Sequence, residues 1–144
     1  MKIMFVCTGN TCRSPMAHAI MLDMVKKQNI ENIEIESSGI YPNEGEDMSF
    51  GAKEALKNMD IEFDHKARQI TKNDLDSYDY IICMTKSHKD ALSAYATKNN
   101  LFTMDELAHL GDIIDPFNQP VEVYKKTAEQ IKNSLKEILK TLEK

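Results

Sequence analysis

Long apolar runs and a surplus of positive charge are both missing from this 144-residue sequence. The 18 Lys and Arg residues are outnumbered by 23 Asp and Glu residues, which gives a formal net charge of −5. Proteins whose main task is to bind nucleic acid need clustered cations, so we expect no nucleic-acid partner. The apolar run at residues 3–6 is far too short for a signal peptide or a membrane span. We therefore expect a cytoplasmic protein that does not enter a membrane.

Cysteine is scarce as well, with three residues in the chain. Three is an odd number, and the cytosol keeps thiols reduced, so a framework of structural disulfides is a poor interpretation. A hydrophobic content of 42% in a chain of this length is enough to bury a core without such cross-links. We therefore predict one domain over residues 1–144 that needs no cofactor to fold, and we expect a monomer.

Short apolar segments alternate with amphipathic segments along the chain. The apolar segments, which we predict to be strands, span residues 3–6, 33–37, 78–84 and 100–104. The predicted helices span residues 15–25, 48–58, 86–95 and 121–142. In the first helix, Ser14 fits the N-cap and Pro15 the first helical position. Strands that alternate with helices predict an α/β fold, with a parallel sheet covered by helices on both faces.

A polar loop, residues 7–14, joins the first predicted strand to the first predicted helix. Such a loop lies at the carboxyl edge of the sheet, and its backbone N–H groups and the helix N-terminus predict an oxyanion site. Cys7 and Arg13 are separated by five residues, so a tight loop brings both side chains to one anion. The guanidinium would hold two phosphate oxygens while the sulfur attacks phosphorus.

The rest of this loop is expected to cradle the phosphate. Its residues are Thr8, Gly9, Asn10, Thr11, Cys12 and Ser14. Amide dipoles, the helix N-terminus and Arg13 all favour the thiolate of Cys7, and Ser14 can add a hydrogen bond to the sulfur. Gly9 and Asn10 are residue types that accept a positive φ, which a loop with inward-facing amides needs.

This loop and several later segments resemble the low-molecular-weight protein phosphatases. The first match is the run Val-Cys-Thr-Gly-Asn-Thr-Cys-Arg-Ser-Pro-Met-Ala at residues 6–17. Further matches follow in order at residues 37–39, 65–71, 83–84 and 115–117. The resemblance covers nearly the whole chain. It implies a four-stranded parallel sheet flanked by helices, with the phosphate loop after the first strand, no metal or other cofactor, and a phosphocysteine intermediate.

The resemblance also implies a general acid and the walls of a substrate pocket. The leaving group needs a proton and the phosphocysteine then needs a base, and one carboxyl can serve in both steps. In the family that carboxyl precedes a proline, which corresponds to Asp115. Asp112 is the rival, and we interpret it as a solvated loop charge. The implied walls are Tyr41 and Phe117, although tyrosine-specific relatives often have a second aromatic residue where this chain has Asn118.

Thr11 helps to predict which phosphorylated side chain is the substrate. Similar tyrosine phosphatases have a branched aliphatic residue there, which packs against the substrate ring, whereas the bacterial protein-arginine phosphatases have threonine. Thr85, which replaces a family aspartate, also resembles the arginine branch. The resemblance therefore predicts a phosphatase that removes phosphate from phosphoarginine in proteins, and phosphotyrosine is the alternative substrate.

The other cysteines raise two further alternatives. By resemblance, Cys12 faces Cys7 closely enough for a reversible disulfide that would switch the enzyme off, and the other interpretation is a small residue that fills space. We interpret Cys83 as inert core. Arsenate reductases that share this fold use another cysteine seven residues further on, where this chain has Asp90. Arsenate reduction is therefore the least favoured activity.

A phosphate-binding module without catalysis and a metal site are the remaining alternatives. A binding module could dispense with Cys7 or Asp115, but this chain has both. The four histidines show no spacing typical of metal ligands. By resemblance, His65 orders the phosphate loop through a hydrogen bond. The other three are predicted to lie at solvated surface positions: His18, His88 and His109.

Overall fold

The computed structural model describes residues 1–142, which contain a four-stranded parallel sheet and six helices. The strands are β1 (Lys2–Cys7), β2 (Glu34–Gly39), β3 (Tyr80–Cys83) and β4 (Leu101–Thr103). The helices are α1 (Arg13–Lys27), α2 (Phe50–Lys57), α3 (Lys72–Ser77), α4 (Lys86–Ser93), α5 (Met104–Ala108) and α6 (Val121–Leu142). The strand order is β2-β1-β3-β4, so β1 lies inside the sheet.

Strand β1 is buried on both of its faces, which explains its unbroken apolar run. Ile3 and Phe5 belong to one core, together with residues of α1, α2, α5 and α6. Met4 and Val6 point the other way, into a second core that includes Leu75 of α3. A strand covered on both faces needs apolar side chains at successive positions, because neither face meets water.

The strand register brings the ends of β1 and β2 together at the edge where the phosphate loop begins. Cys7 pairs with Gly39, and Val6 pairs with Cys83 of β3 on the other side. At Gly39 a Cβ atom would lie 2.6 Å from the carbonyl oxygen of Thr8. Glycine at this position therefore lets the loop after β1 pass close to the end of β2.

Helix α6 covers one face of the sheet through a single apolar stripe. Tyr124, Ile131, Leu135 and Ile138 of this stripe are buried. Helix α2 packs against α6 at Gly51, where a Cβ would lie 2.3 Å from the ring of Tyr124. None of the helices within residues 1–142 combines the length and the apolar content that a bilayer crossing needs.

The predicted α/β fold is confirmed, with four parallel strands and helices on both faces of the sheet. The four predicted helices are also present, with ends that differ by a few residues. Two further helices, α3 and α5, were not predicted because five or six residues are too few to show a helical period. Each begins with a capping box, in which the N-cap threonine and an acidic residue three positions later bond each other's backbone: Thr71 with Asp74, and Thr103 with Glu106.

The predicted N-cap of the first helix is wrong. Helix α1 begins at Arg13, so Cys12 is the N-cap, and its side chain makes no capping hydrogen bond. Ser14 lies inside the first turn, and its hydroxyl group contacts the phosphate loop instead. Because no side chain caps this end, the first N–H groups of α1 are left for a ligand.

Candidate active site

A cavity of about 320 Å³ opens at the carboxyl edge of the sheet, above the end of β1. Three segments form its walls: the phosphate loop, the loop after β2, and the segment between α5 and α6. The lining residues are Cys7, Thr8, Gly9, Thr11, Cys12, Arg13, Tyr41, Asn43, Glu46, Asp115 and Phe117. Folding therefore brings Cys7, Arg13 and Asp115 to one cavity, although Asp115 is about a hundred residues from the loop in sequence.

Asn10 holds the phosphate loop in shape through both its backbone and its side chain. Its φ of 56° is left-handed, which asparagine tolerates better than most residues. Gly9, in contrast, does not adopt a positive φ. Of the two residues predicted to have a positive φ, Asn10 therefore has one and Gly9 does not. The buried Asn10 Oδ1 accepts hydrogen bonds from the backbone N–H of Arg68 at 3.0 Å and from His65 Nε2 at 2.7 Å. Two donors on one oxygen fix the orientation of the amide group.

The Asn10 amide also orients the hydroxyl group next to the cysteine sulfur. Asn10 Nδ2 donates to Ser14 Oγ at 2.8 Å, so the oxygen of Ser14 is already an acceptor. The Ser14 hydroxyl proton can then be donated to Cys7 Sγ, which lies 2.9 Å from Ser14 Oγ, while the carbonyl oxygen of Ser38 lies further away at 3.4 Å. A hydrogen bond donated to the sulfur stabilises the thiolate relative to the thiol.

His65 acts on this network as a neutral donor. Burial, and then the charge of Arg68, lower the pKa of His65 below its ordinary value. The imidazole is therefore neutral at pH 7, and its proton lies on Nε2 because Asn10 Oδ1 can only accept. The hydrogen bond from His65 to the phosphate loop, which the family resemblance implied, is present.

His88 supports the other side of the loop and was missed by the sequence analysis. Its Nδ1 accepts from the backbone N–H of Thr85 at 3.2 Å, so the proton lies on Nε2, which donates to Thr8 Oγ1 at 2.9 Å. Burial, and then the charge of Arg13, lower the pKa of His88 to about 4, against an opposing effect of Asp115. Thr85 and His88 together form the capping box of α4. A threonine followed three residues later by a histidine was therefore the sequence signal that could have indicated a structural role for His88.

The prediction of surface positions for three histidines is wrong for two of them. His88 is 5% exposed and His18 is 6% exposed, whereas His109 is exposed. His18 Nδ1 lies 3.1 Å from Ser37 Oγ, and its ring packs edge-on against Phe63. Burial lowers the pKa of His18 to about 4, so it is a neutral core residue. Within residues 1–142, no three His, Cys, Asp or Glu side chains are grouped to hold a metal ion.

Arg13 is buried against the base of the cavity and faces the exposed carboxylate of Asp115. Its Nη1 donates to the carbonyl oxygen of Ile113 at 3.2 Å, and its Nη2 lies 3.6 Å from Asp115 Oδ2. Asp115 Oδ1 accepts from the backbone N–H of Phe117 at 3.1 Å, which fixes the carboxylate in a tight turn. The rival Asp112 is exposed and accepts from the backbone N–H of Lys86, outside the cavity.

The three cysteines lie in different surroundings, and all are free thiols. Cys12 Sγ lies 3.2 Å from Ser49 Oγ and 3.7 Å from the hydroxyl group of Tyr124. Burial raises the pKa of Cys83 to about 12, so this thiol remains protonated inside the sheet. At the position where an arsenate reductase would have another cysteine, Asp90 lies on α4 and pairs with Lys86.

The mouth of the cavity has aromatic and polar walls. Tyr41 is 81% exposed and Phe117 is 62% exposed, so both rings are available to a ligand. Asn43 and Glu46, from the loop after β2, also line the cavity and were not predicted. Glu46 belongs to no recognisable sequence motif, and it reaches the site only because the loop after β2 folds along the cavity.

Comparison with known proteins reveals similarity over the whole chain. The sequence profile of the family described as low molecular weight phosphotyrosine protein phosphatase matches residues 2–144. A protein-arginine-phosphatase of Geobacillus stearothermophilus is 34% identical over 146 residues, which cover 99% of this chain and 96% of that protein. The low molecular weight protein-tyrosine-phosphatase PtpB of Staphylococcus haemolyticus is 36% identical over 133 residues, which cover 91% of this chain and 92% of that protein.

A solved structure gives the same result for the fold. A mutant of the YwlE arginine phosphatase, with a phosphorylated active-site serine, superimposes with a TM-score of 0.95 at 31% identity. The superposition covers 100% of this chain and 97% of that one. Overall identity is nearly the same for the arginine and the tyrosine phosphatases. Identity alone therefore does not decide between the two substrates.

The hydrogen bonds of Asn10 predict a loss of stability that can be separated from its backbone conformation. Asn10→Gly keeps the positive φ but removes three hydrogen bonds, so the free energy of unfolding should fall by about 2–4 kcal/mol. Asn10→Ala should cost about 1 kcal/mol more, because alanine is strained in the left-handed region. Urea denaturation of both variants measures these differences.

Asn29 offers a matched control, because it also has a positive φ of 54° but an exposed side chain. Asn29→Gly should change the free energy of unfolding by less than about 0.5 kcal/mol, as a surface substitution does. If Asn10→Gly were as mild as Asn29→Gly, the network around Asn10 would not stabilise the loop.

Proposed function

This chain belongs to the low molecular weight phosphotyrosine protein phosphatase family, and we propose that within it the chain removes phosphate from phosphoarginine in proteins. The observation that carries the proposal is Thr11, which lines the cavity next to Cys12. By the family resemblance, tyrosine phosphatases have a branched aliphatic residue at this position. A hydroxyl group at this point can hydrogen-bond a guanidino group, and threonine offers a phenyl ring less apolar surface than an aliphatic side chain would. The similarity to a protein-arginine-phosphatase over nearly the full length supports the same assignment.

In the first step, Cys7 is the nucleophile. Its thiolate attacks phosphorus while Arg13 and the N–H groups of the phosphate loop hold the phosphoryl oxygens. The P–N bond breaks, its electron pair goes to the guanidino nitrogen, and Asp115 delivers a proton to that nitrogen. The phosphate cradle comprises Thr8, Gly9, Asn10, Thr11, Cys12 and Ser14.

In the second step, the phosphocysteine is hydrolysed. Asp115, now a carboxylate, takes a proton from a water molecule whose oxygen attacks phosphorus. The S–P bond breaks, and its electron pair returns to Cys7 as a thiolate. The hydrogen bond from Ser14 Oγ at 2.9 Å stabilises that leaving thiolate, and Asn10 keeps the Ser14 hydroxyl group in place.

Phosphotyrosine is the second candidate substrate. The exposed rings of Tyr41 and Phe117 at the cavity mouth could pack against a phenyl ring, and the similarity to PtpB favours the same reading. Arsenate reduction receives no support from the residues at Cys83 and Asp90. We further propose that the chain works as a single-domain cytoplasmic monomer without a metal or cofactor, that its partners are phosphorylated proteins, and that it binds no nucleic acid.

A substrate panel with Cys7→Ser tests the reaction. The chain should release phosphate from phosphoarginine peptides faster than from phosphotyrosine or phosphoserine peptides. Cys7→Ser should lower kcat/KM by about 10⁴-fold or more without unfolding the chain, which circular dichroism would establish. Cys83→Ala, which changes a thiol outside the cavity, is the control and should keep the activity. Activity that survives in Cys7→Ser would contradict the assignment of the nucleophile.

Thr11→Ile tests the substrate preference. The larger apolar side chain removes the hydroxyl group and adds surface for a ring, so the ratio of kcat/KM for phosphoarginine to that for phosphotyrosine should fall at least about tenfold. The measurement needs two peptides that share every flanking residue. A wild-type preference for phosphotyrosine that Thr11→Ile leaves unchanged would end the arginine proposal.

We also propose that Cys12 protects Cys7 from oxidation. Peroxide would convert the Cys7 thiolate to a sulfenic acid, and the Cys12 thiol would then displace water to give a disulfide. The wild type should therefore lose two thiols and regain activity with dithiothreitol. Cys12→Ser should lose activity irreversibly, because the sulfenic acid is oxidised further. Equal recovery of the two proteins would exclude this switch.

A further inference from the structure

The cavity contains a carboxylate that the proposed mechanism does not use. Glu46 lines the cavity together with Asn43, on the wall formed by the loop after β2. Asp115 approaches from the segment between α5 and α6. The lining residues within positions 1–142 thus include one cationic side chain, Arg13, and two carboxylates.

Hydrogen bonds hold Glu46 in place although it is exposed to solvent. Its Oε2 accepts from Asn43 Nδ2 at 3.0 Å, and its backbone N–H donates to the carbonyl oxygen of Asn43 at 3.0 Å. Its own carbonyl oxygen accepts from the backbone N–H of Ala67 at 2.9 Å, and the N–H of Gly45 donates back to Ala67. The loop is therefore bonded to Ala67 at both Gly45 and Glu46, so the backbone from which the Glu46 side chain extends is held in place.

The side chain of Glu46 is not paired with a cation among the described residues, so it can bind a ligand. Its neighbour Asp47 is paired with Lys66. Within the described part of the chain, Glu46 itself forms no ion pair with a lysine or arginine. Asn43 supplies one neutral hydrogen bond, so the second carboxylate oxygen can accept from another donor.

The charges of the cavity match a phosphorylated cation better than a phosphorylated phenol. A phosphoryl group at the base of the cavity takes up the charge of Arg13, and Asp115 holds a proton in the first step. The carboxylate of Glu46 then favours a positive group attached to the phosphoryl group. A guanidino group carries several N–H donors in a plane that suits carboxylates, whereas a phenyl ring has none and would leave a carboxylate unpaired.

We propose that Glu46 is a specificity-determining residue that accepts hydrogen bonds from the guanidinium group of the phosphoarginine substrate. The inference rests on the proposed function and adds a residue from a different loop to the recognition by Thr11. Because the guanidinium is cationic before and during P–N cleavage, Glu46 stabilises the ground state and the transition state alike. Its loss should therefore raise KM and leave kcat nearly unchanged.

The test compares Glu46→Gln with the wild type on two peptides that differ only in phosphoarginine or phosphotyrosine. Glutamine keeps the shape and removes the charge. For the phosphoarginine peptide, KM should rise roughly fivefold to tenfold, a size set by the exposure of the carboxylate. For the phosphotyrosine peptide, KM should stay the same or fall. Raising the NaCl concentration should weaken phosphoarginine binding less in Glu46→Gln than in the wild type.

Glu62→Gln is the matched control, since it makes the same chemical change at an exposed position outside the cavity lining. Glu62→Gln should leave kcat and KM unchanged for both peptides. An equal loss on both peptides in Glu46→Gln would overturn the inference in favour of a purely structural role for this loop, and unchanged kinetics would overturn it outright. A wild type that does not hydrolyse the phosphoarginine peptide at all would instead defeat the proposed function.

Discussion

The left-handed conformation and the three hydrogen bonds of Asn10 are the constraint on which the site depends. The phosphate loop must connect β1 to α1 within a few residues, and Asn10 adopts the left-handed conformation in the middle of that connection. Its amide then connects the segment that contains His65 and Arg68 to Ser14, and through Ser14 to Cys7. The geometry of the loop and the electrostatics around the sulfur thus both depend on Asn10.

The sheet was predictable from the sequence, whereas part of the site was not. The strand β1 is an unbroken apolar run because both of its faces are buried, and the phosphate loop follows a local motif. Both features can be recognised in a short stretch of sequence, without knowledge of distant contacts. Ser14 was wrongly predicted to be the N-cap because serine followed by proline is typical of a helix start. In the structure its hydroxyl group lies within hydrogen-bond distance of Cys7 Sγ instead. The short helices α3 and α5 were too brief for any periodicity.

The residues that sequence reasoning missed depend on contacts between distant segments. His88 was predicted to lie at the surface, and only the packing of α4 near Thr8 buries it. Glu46 lies in a loop of mixed polar residues, where no spacing marks one carboxylate over another. Its position at the cavity depends on the backbone bonds that tie this loop to Ala67. The family resemblance supplied Asp115, which spacing alone would have left as a turn residue.

The hydrogen bond between Arg13 and the carbonyl oxygen of Ile113 has a consequence during protein synthesis. It joins residues that are 100 positions apart, and Asp115 follows two residues later. A nascent chain that has emerged only as far as α4 contains Cys7 and Arg13, but it lacks both the carbonyl oxygen that Arg13 binds and the carboxylate of Asp115. The complete cavity lining therefore forms only after the segment between α5 and α6 has left the ribosome and has folded against the phosphate loop.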